Sequence, residues 1–117
     1  MKDKSLAFAI RIVNLYKYLA EEKKEFVLSK QILRCGTSVG AMVREAEFSE
    51  SDLDFIHKLA IAQKEINETI YWLELLFKTN YINDKQFESI SNDAIELIKI
   101  ITSSIKTLKS KQKNINN

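Results

Sequence analysis

The chain of 117 residues has no proline, two glycines, one cysteine and one histidine. Without proline, and with so little glycine, it lacks the punctuation that turn-rich, all-β folds require. A single cysteine excludes an internal disulfide. Cys35 falls on the apolar line of a predicted helix and reads as a small core residue. One histidine, His57, leaves too few parts for most His-built metal or acid–base centres. No uncharged apolar run approaches the roughly 20 residues that span a bilayer. No secretory leader is expected, because Asp3 lies in the charged lead and Arg11 breaks the apolar stretch behind it. These absences together predict a cytoplasmic protein.

The remaining composition suits long helices joined by short connections. The hydrophobic content of 45% is ordinary for a globular chain, and the net charge is only +2. That charge is unevenly placed: residues 1–43 carry +4, residues 44–96 carry −7, and residues 97–117 carry five lysines and no acid. Basic ends of this kind suit a nucleic-acid or membrane contact, or simply a solvated, frayed helix end.

Apolar spacing predicts four helices, over 5–22, 28–47, 52–79 and 84–109. In the first, Phe8, Ile12, Leu15 and Leu19 form one line, and Ala9, Val13, Tyr16 and Ala20 form another. Leu6 and Ile10 widen the face beyond the stripe a bundle exterior needs, so this helix meets either three neighbours or another subunit. Glu21–Glu25 (EEKKE) reads as a solvated loop. Ser51 with Asp54, and Asn83 with Gln86, have the spacing of N-terminal caps. The third helix keeps alternating three-and-four spacing through Phe55, Leu59, Ala62, Ile66, Thr69, Leu73 and Leu76, which favours nearly antiparallel packing. The fourth turns Phe87, Ile90, Ala94, Leu97, Ile101, Ile105 and Leu108 inward. Four such helices give an all-α, up-down-up-down bundle: one domain over residues 1–111, with a loose basic tail over 112–117. In that topology the basic chain ends share one end of the bundle with the acidic turn of Glu45, Glu47, Glu50, Asp52 and Asp54.

The most distinctive segment is Leu28–Ala46, LSKQILRCGTSVGAMVREA. Ile32, Cys35, Val39, Met42 and Ala46 form its apolar line. Gly36 and Gly40 lie four apart on a second line, each costing about 1 kcal/mol against alanine in a helix interior. Two glycines on one face predict close approach of another backbone. A leucine at Gly40 is expected to overpack that contact, by about 1–3 kcal/mol. Gln31, Arg34, Ser38 and Glu45 form a polar line. It is either an exposed face or an interface whose natural partners are Lys58, Glu65 and Glu68 on the third helix, in the same subunit or the next.

Catalytic constellations fare poorly. A di-iron bundle needs two Glu-x-x-His pairs, and this chain offers only Asp54-x-x-His57 beside Glu45, Glu65 and Glu68. A nucleophile at Ser38 or Cys35 needs a base beside it, the one histidine, His57, belongs to the far turn of the third helix, and no glycine-rich phosphate loop exists. No catalytic residue, cofactor or metal ligand is assigned. The cations available for phosphate contact are Arg11, Arg34, Arg44, Lys106, Lys109, Lys111 and Lys113, without any base-reading motif.

Residues 5–81 resemble the bacterial four-helix-bundle proteins encoded in 23S rRNA intervening sequences. The resemblance rests on FVLSKQILRCGTSVGAMVREA (26–46), DFIHKLAIAQKEINET (54–69) and YWLELL (71–76). The matching motif positions are Gln31, Arg34, Ser38, Gly40, Glu45, Lys58, Glu65 and Glu68. The chain departs from the usual pattern at Cys35, where serine is common, and at Met42-Val43, where Asn-Ile is common. The resemblance implies a left-handed antiparallel four-helix bundle that assembles as a homopentamer, with no established activity. The accessory proteins of diversity-generating retroelements are similar in fold and use a basic pentamer surface to bind nucleic acid. The expectation is therefore a non-enzymatic ring-forming bundle that binds RNA or DNA, with a structural adaptor serving a protein partner as the alternative.

Overall fold

The computed structural model describes residues 1–116, with side chains through Asn114. Four helices run in the order α1 (Lys2–Glu21), α2 (Leu28–Glu47), α3 (Asp52–Lys78) and α4 (Asp84–Asn116). No strand occurs among the described residues. The molecule is a rod of 55 × 23 × 20 Å.

Three of the four helices, α2, α3 and α4, begin where the sequence provides side-chain partners for the free N–H groups of the first turn, whereas α1 follows Met1 without one. Ser51 caps α3, its hydroxyl accepting from the Asp54 N–H at 3.1 Å. Asn83 and Gln86 form a reciprocal box at α4, with bonds of 2.8 and 2.9 Å. At α2 the cap comes from an unexpected residue. Lys24 takes a left-handed φ of 54°, and this turn folds Glu25 over the start of the helix. Glu25 then accepts from the Ser29 N–H at 2.7 Å, while the Ser29 hydroxyl donates to the Glu25 carbonyl at 2.8 Å. The loop expected to be solvated throughout thus ends in a carboxylate only 9% exposed. Its burial is compensated by backbone donors and the positive end of α2. At the far end of α3, Asn80 is left-handed (φ 69°) and the Tyr81 N–H reaches back to the Leu76 carbonyl at 2.9 Å.

The core draws from all four helices: Phe8, Ile12 and Leu19; Ile32, Val39 and Val43; Leu59, Ile66, Leu73 and Leu76; Ile90, Leu97 and Ile101. Cross-helix partners pair rising numbers with falling ones. Lys2 meets Glu47, and Ile12 meets Gly36. Glu45 meets Lys58, and Arg34 meets Glu68. Gln63 bonds Thr102, and Phe77 stacks on Phe87 at 4.5 Å. Lys4 meets Glu96, and Arg11 meets Asp93.

Both glycines of α2 face α1. A Cβ on Gly36 would lie 2.7 Å from Cγ1 of Ile12, and one on Gly40 would lie 3.4 Å from the Ser5 carbonyl oxygen. The outer side of α1 is uncovered in the single chain, with Leu6 51% and Ile10 54% exposed.

The fourth helix runs past its expected end at 109 to Asn116. The segment after Leu108 holds neither glycine nor proline, and lysine and glutamine are good helix formers. Asn117, the last residue of the expected loose tail, lies outside the described residues.

Candidate functional site

Two groups of polar side chains stand out from this frame. The first is a seam between α2 and α3. Heptad-like spacing puts Arg34 and Glu45 on the flank of α2 that meets Lys58, Glu65 and Glu68 of α3. Arg34 sits between two carboxylates. It hydrogen-bonds Glu68, and its Nη1 lies 3.5 Å from Oε2 of Glu65. That Glu65 oxygen is buried and takes no hydrogen bond, so charge alone holds it. The Trp72 indole N–H donates at 3.0 Å to Oε2 of Glu68, the same oxygen that Arg34 binds, and so helps to fix the carboxylate. Lys58 completes the seam, 3.4 Å from Glu45.

The other polar candidates of α2 do not join it. Gln31 is exposed. Ser38 turns back on its own helix and donates to the Arg34 carbonyl at 2.7 Å. Beneath the seam, Cys35 is buried and accepts from the Thr69 hydroxyl at 3.2 Å. Burial pushes its thiol pKa up, and this outweighs the Thr69 hydrogen bond that favours the thiolate. A thiol so placed is a packing group rather than a nucleophile. His57 is exposed. Among the described residues no three His, Cys, Asp or Glu side chains are grouped to hold a metal ion.

The second group is the set of cations offered for phosphate contact, and the structure divides it. Arg11 is engaged: it binds Asp93 at 2.6 Å, the Ser89 hydroxyl at 2.9 Å and the Ser89 carbonyl at 3.1 Å. It closes one side of a cleft of about 520 Å³ between α1 and α4, which Leu15, Tyr18, Ile82 and Ile90 also line. Arg34 is engaged by Glu65 and Glu68 as described. By contrast Arg44, Lys106, Lys109, Lys111 and Lys113 are exposed. None of them is ion-paired among the described residues. Lysines toward the same bundle end that are paired include Lys2, Lys4 and Lys58, held by Glu47, Glu96 and Glu45. Glu96 also raises the Lys4 pKa, through its hydrogen bond and its charge. No helix among the described residues is long and apolar enough to cross a membrane.

The glutamate cap at Glu25 and the Arg11–Asp93–Ser89 cluster were not foreseen from the sequence. The first depends on a left-handed turn at Lys24. The second joins residues about 80 positions apart, for which spacing carries no signal.

Residues 1–103 match the family model of the 23S rRNA-intervening sequence protein. No curated protein matches the chain. The fold is similar to the 1.70 Å crystal structure of a protein with unknown function from the S23 ribosomal protein family of Bacteroides thetaiotaomicron VPI-5482. The two share 65% sequence identity with a TM-score of 0.89, over 90% of this chain and 94% of that one. Identity at that level over nearly the whole of both chains carries the family as well as the fold, and the chain belongs to the 23S rRNA-intervening sequence protein family.

Proposed function

We propose that this protein is a non-enzymatic, ring-forming bundle that holds RNA or another nucleic acid by its phosphates. The observation that carries the reading is the free charge of α4. The five lysines after Glu96 face solvent with no acid in residues 97–117, while Arg11 and Arg34 are spent on internal pairs. Arg44 adds a further free cation on α2. Cations without internal partners attract a polyanion most strongly, since binding it breaks no existing ion pair.

The bundle is read as antiparallel, up-down-up-down and left-handed. The opposed numbering of its cross-helix partners supports the antiparallel course. Assembly as a homopentamer follows the family resemblance, and the half-exposed Leu6 and Ile10 supply apolar surface for a subunit contact. A ring multiplies each lysine row by the subunit number, which converts weak single contacts into useful avidity. The buried, proton-retaining Cys35 suits a reducing cytoplasm and a protein without nucleophilic chemistry. The test is an anisotropy titration of labelled RNA against the purified protein. Binding should be strong at about 50 mM salt, and log affinity should fall steeply with log salt, by about 0.9 per phosphate neutralised. No binding at that salt would overturn the reading.

A further inference from the structure

We infer that the lysine row of α4 takes the backbone of a nucleic-acid duplex, rather than an unstacked single strand, and reads no bases. This rests on the nucleic-acid reading above and specifies its ligand. Lys99, Lys106 and Lys113 are seven residues apart, so they recur on one face about every 10.5 Å. Lys109 lies beside them, three residues after Lys106 and four before Lys113. All four are exposed and belong to one continuous helix.

The row is a rigid lattice of point charges about 21 Å long. A duplex is likewise a rigid lattice, with phosphates every 3.4 Å along each strand and one charge per about 1.7 Å of axis. Two preformed lattices meet with little ordering cost. A single strand must be immobilised residue by residue, and single-strand binders offset that cost by stacking bases on aromatic side chains. This surface has none to offer, because no aromatic residue follows Phe87, which is itself stacked on Phe77. Phe48 is 79% exposed at the α2–α3 turn, away from the α4 row, in a hollow where the carboxylates of Glu45, Glu50 and Asp54 outnumber the cations of Arg44 and Lys58. Base reading is absent for a similar reason: no arginine follows Arg44, and lysine is a point charge without a planar fork.

The helix dipole does not account for the row. It favours cations only in the last turn, and Lys99 and Lys106 lie well before it.

The test uses the full chain and labelled nucleic acids of about 20 nucleotides at about 50 mM salt: RNA and DNA duplexes of two unrelated sequences, and their separated strands. Duplexes should bind several-fold tighter than strands, and the two sequences should agree within about threefold. The triple variant Lys106→Gln, Lys109→Gln, Lys113→Gln keeps helix propensity and breaks no ion pair found among the described residues. It should lose at least about tenfold in duplex affinity and reduce the salt slope by about 3, with an unchanged circular dichroism spectrum. Single strands binding as tightly as duplexes would overturn this inference and leave the nucleic-acid role standing. A triple variant with wild-type affinity would also overturn it, by placing the contact elsewhere. Failure of every probe to bind would remove the nucleic-acid reading itself.

Discussion

Adding one methyl group at Gly36 should destabilise the protein, while adding the same methyl four residues later, at Gly40, should not. An alanine Cβ at position 36 would stand 2.7 Å from Cγ1, 2.8 Å from Cγ2 and 3.0 Å from Cδ1 of Ile12. Carbon atoms in contact prefer about 3.5–4.0 Å, so Ile12 must retreat by most of an ångström. It has nowhere to go: the side chain has no exposure, and both γ carbons branch from one Cβ, so no rotation clears both. Overpacking of this kind costs about 1–3 kcal/mol. Against it stands the gain of about 1 kcal/mol for replacing glycine in a helix interior. The steric term wins, and Gly36→Ala should lose about 1 kcal/mol. At Gly40 the nearest atoms are the Ser5 carbonyl oxygen at 3.4 Å and carbon at 3.6 Å, ordinary contact distances. There the propensity term wins, and Gly40→Ala should gain about 0.5–1 kcal/mol. The two variants should therefore separate by about 2 kcal/mol, or roughly 6–10 °C in Tm for a chain of this size. Calorimetry at fixed protein concentration measures this, since any self-association would make Tm concentration-dependent. Ile12→Ala removes all three clashing carbons, so in a double-mutant cycle Gly36→Ala should recover its propensity gain in that background. A Gly36→Ala protein as stable as the wild type would refute the argument.

Four further outcomes follow from the same structure. Glu25→Ala removes the acceptor of the Ser29 N–H and should cost about 1–2 kcal/mol in urea unfolding; Glu25→Asp should recover little, because the carboxylate must span a turn. Arg34→Ala and Glu68→Ala should show a coupling of about 0.5–1 kcal/mol that shrinks in 1 M salt, since the arginine is half exposed; a coupling unmoved by salt would contradict that assignment. Cys35 should react slowly with a thiol reagent in the folded protein and quickly in urea, and fast labelling of the native state would count against its burial. Its raised pKa also sets a sign. The unfolded thiol ionises near the ordinary 9.0 while the folded one keeps its proton, so stability from this group is complete below that pH and is lost as pH rises through it. Cys35→Ala should flatten the stability profile above pH 9, and an unchanged slope would show that other groups set it.

Local features of this chain were legible in the sequence, and features depending on how distant segments meet were not. Ser51 with Asp54 and Asn83 with Gln86 announce their caps because the partners lie three residues apart on one turn. The contact of Arg34 with Glu65 and Glu68 is legible for a related reason. Helical spacing puts each set on one flank, and neighbouring helices must bring flanks together. Ser38 lies on the same flank but satisfies its hydroxyl on the carbonyl four residues back, a local alternative that spacing does not rule out. Glu25 is indistinguishable from its neighbours in EEKKE until Lys24 adopts a positive φ. The two glycines look equivalent in sequence, yet one faces a branched side chain and the other a backbone. The same limit decides what a charge count means. Seven candidate cations can be read from the chain, but Arg11 and Arg34 are neutralised by partners 82 and 34 positions away. The cations left exposed and without an ion pair among the described residues are Arg44 and the α4 lysines. The stretch after Glu96 gives its lysines no acidic neighbour in sequence, and the structure shows them unpaired among the described residues even though the acidic α2–α3 turn shares their end of the bundle.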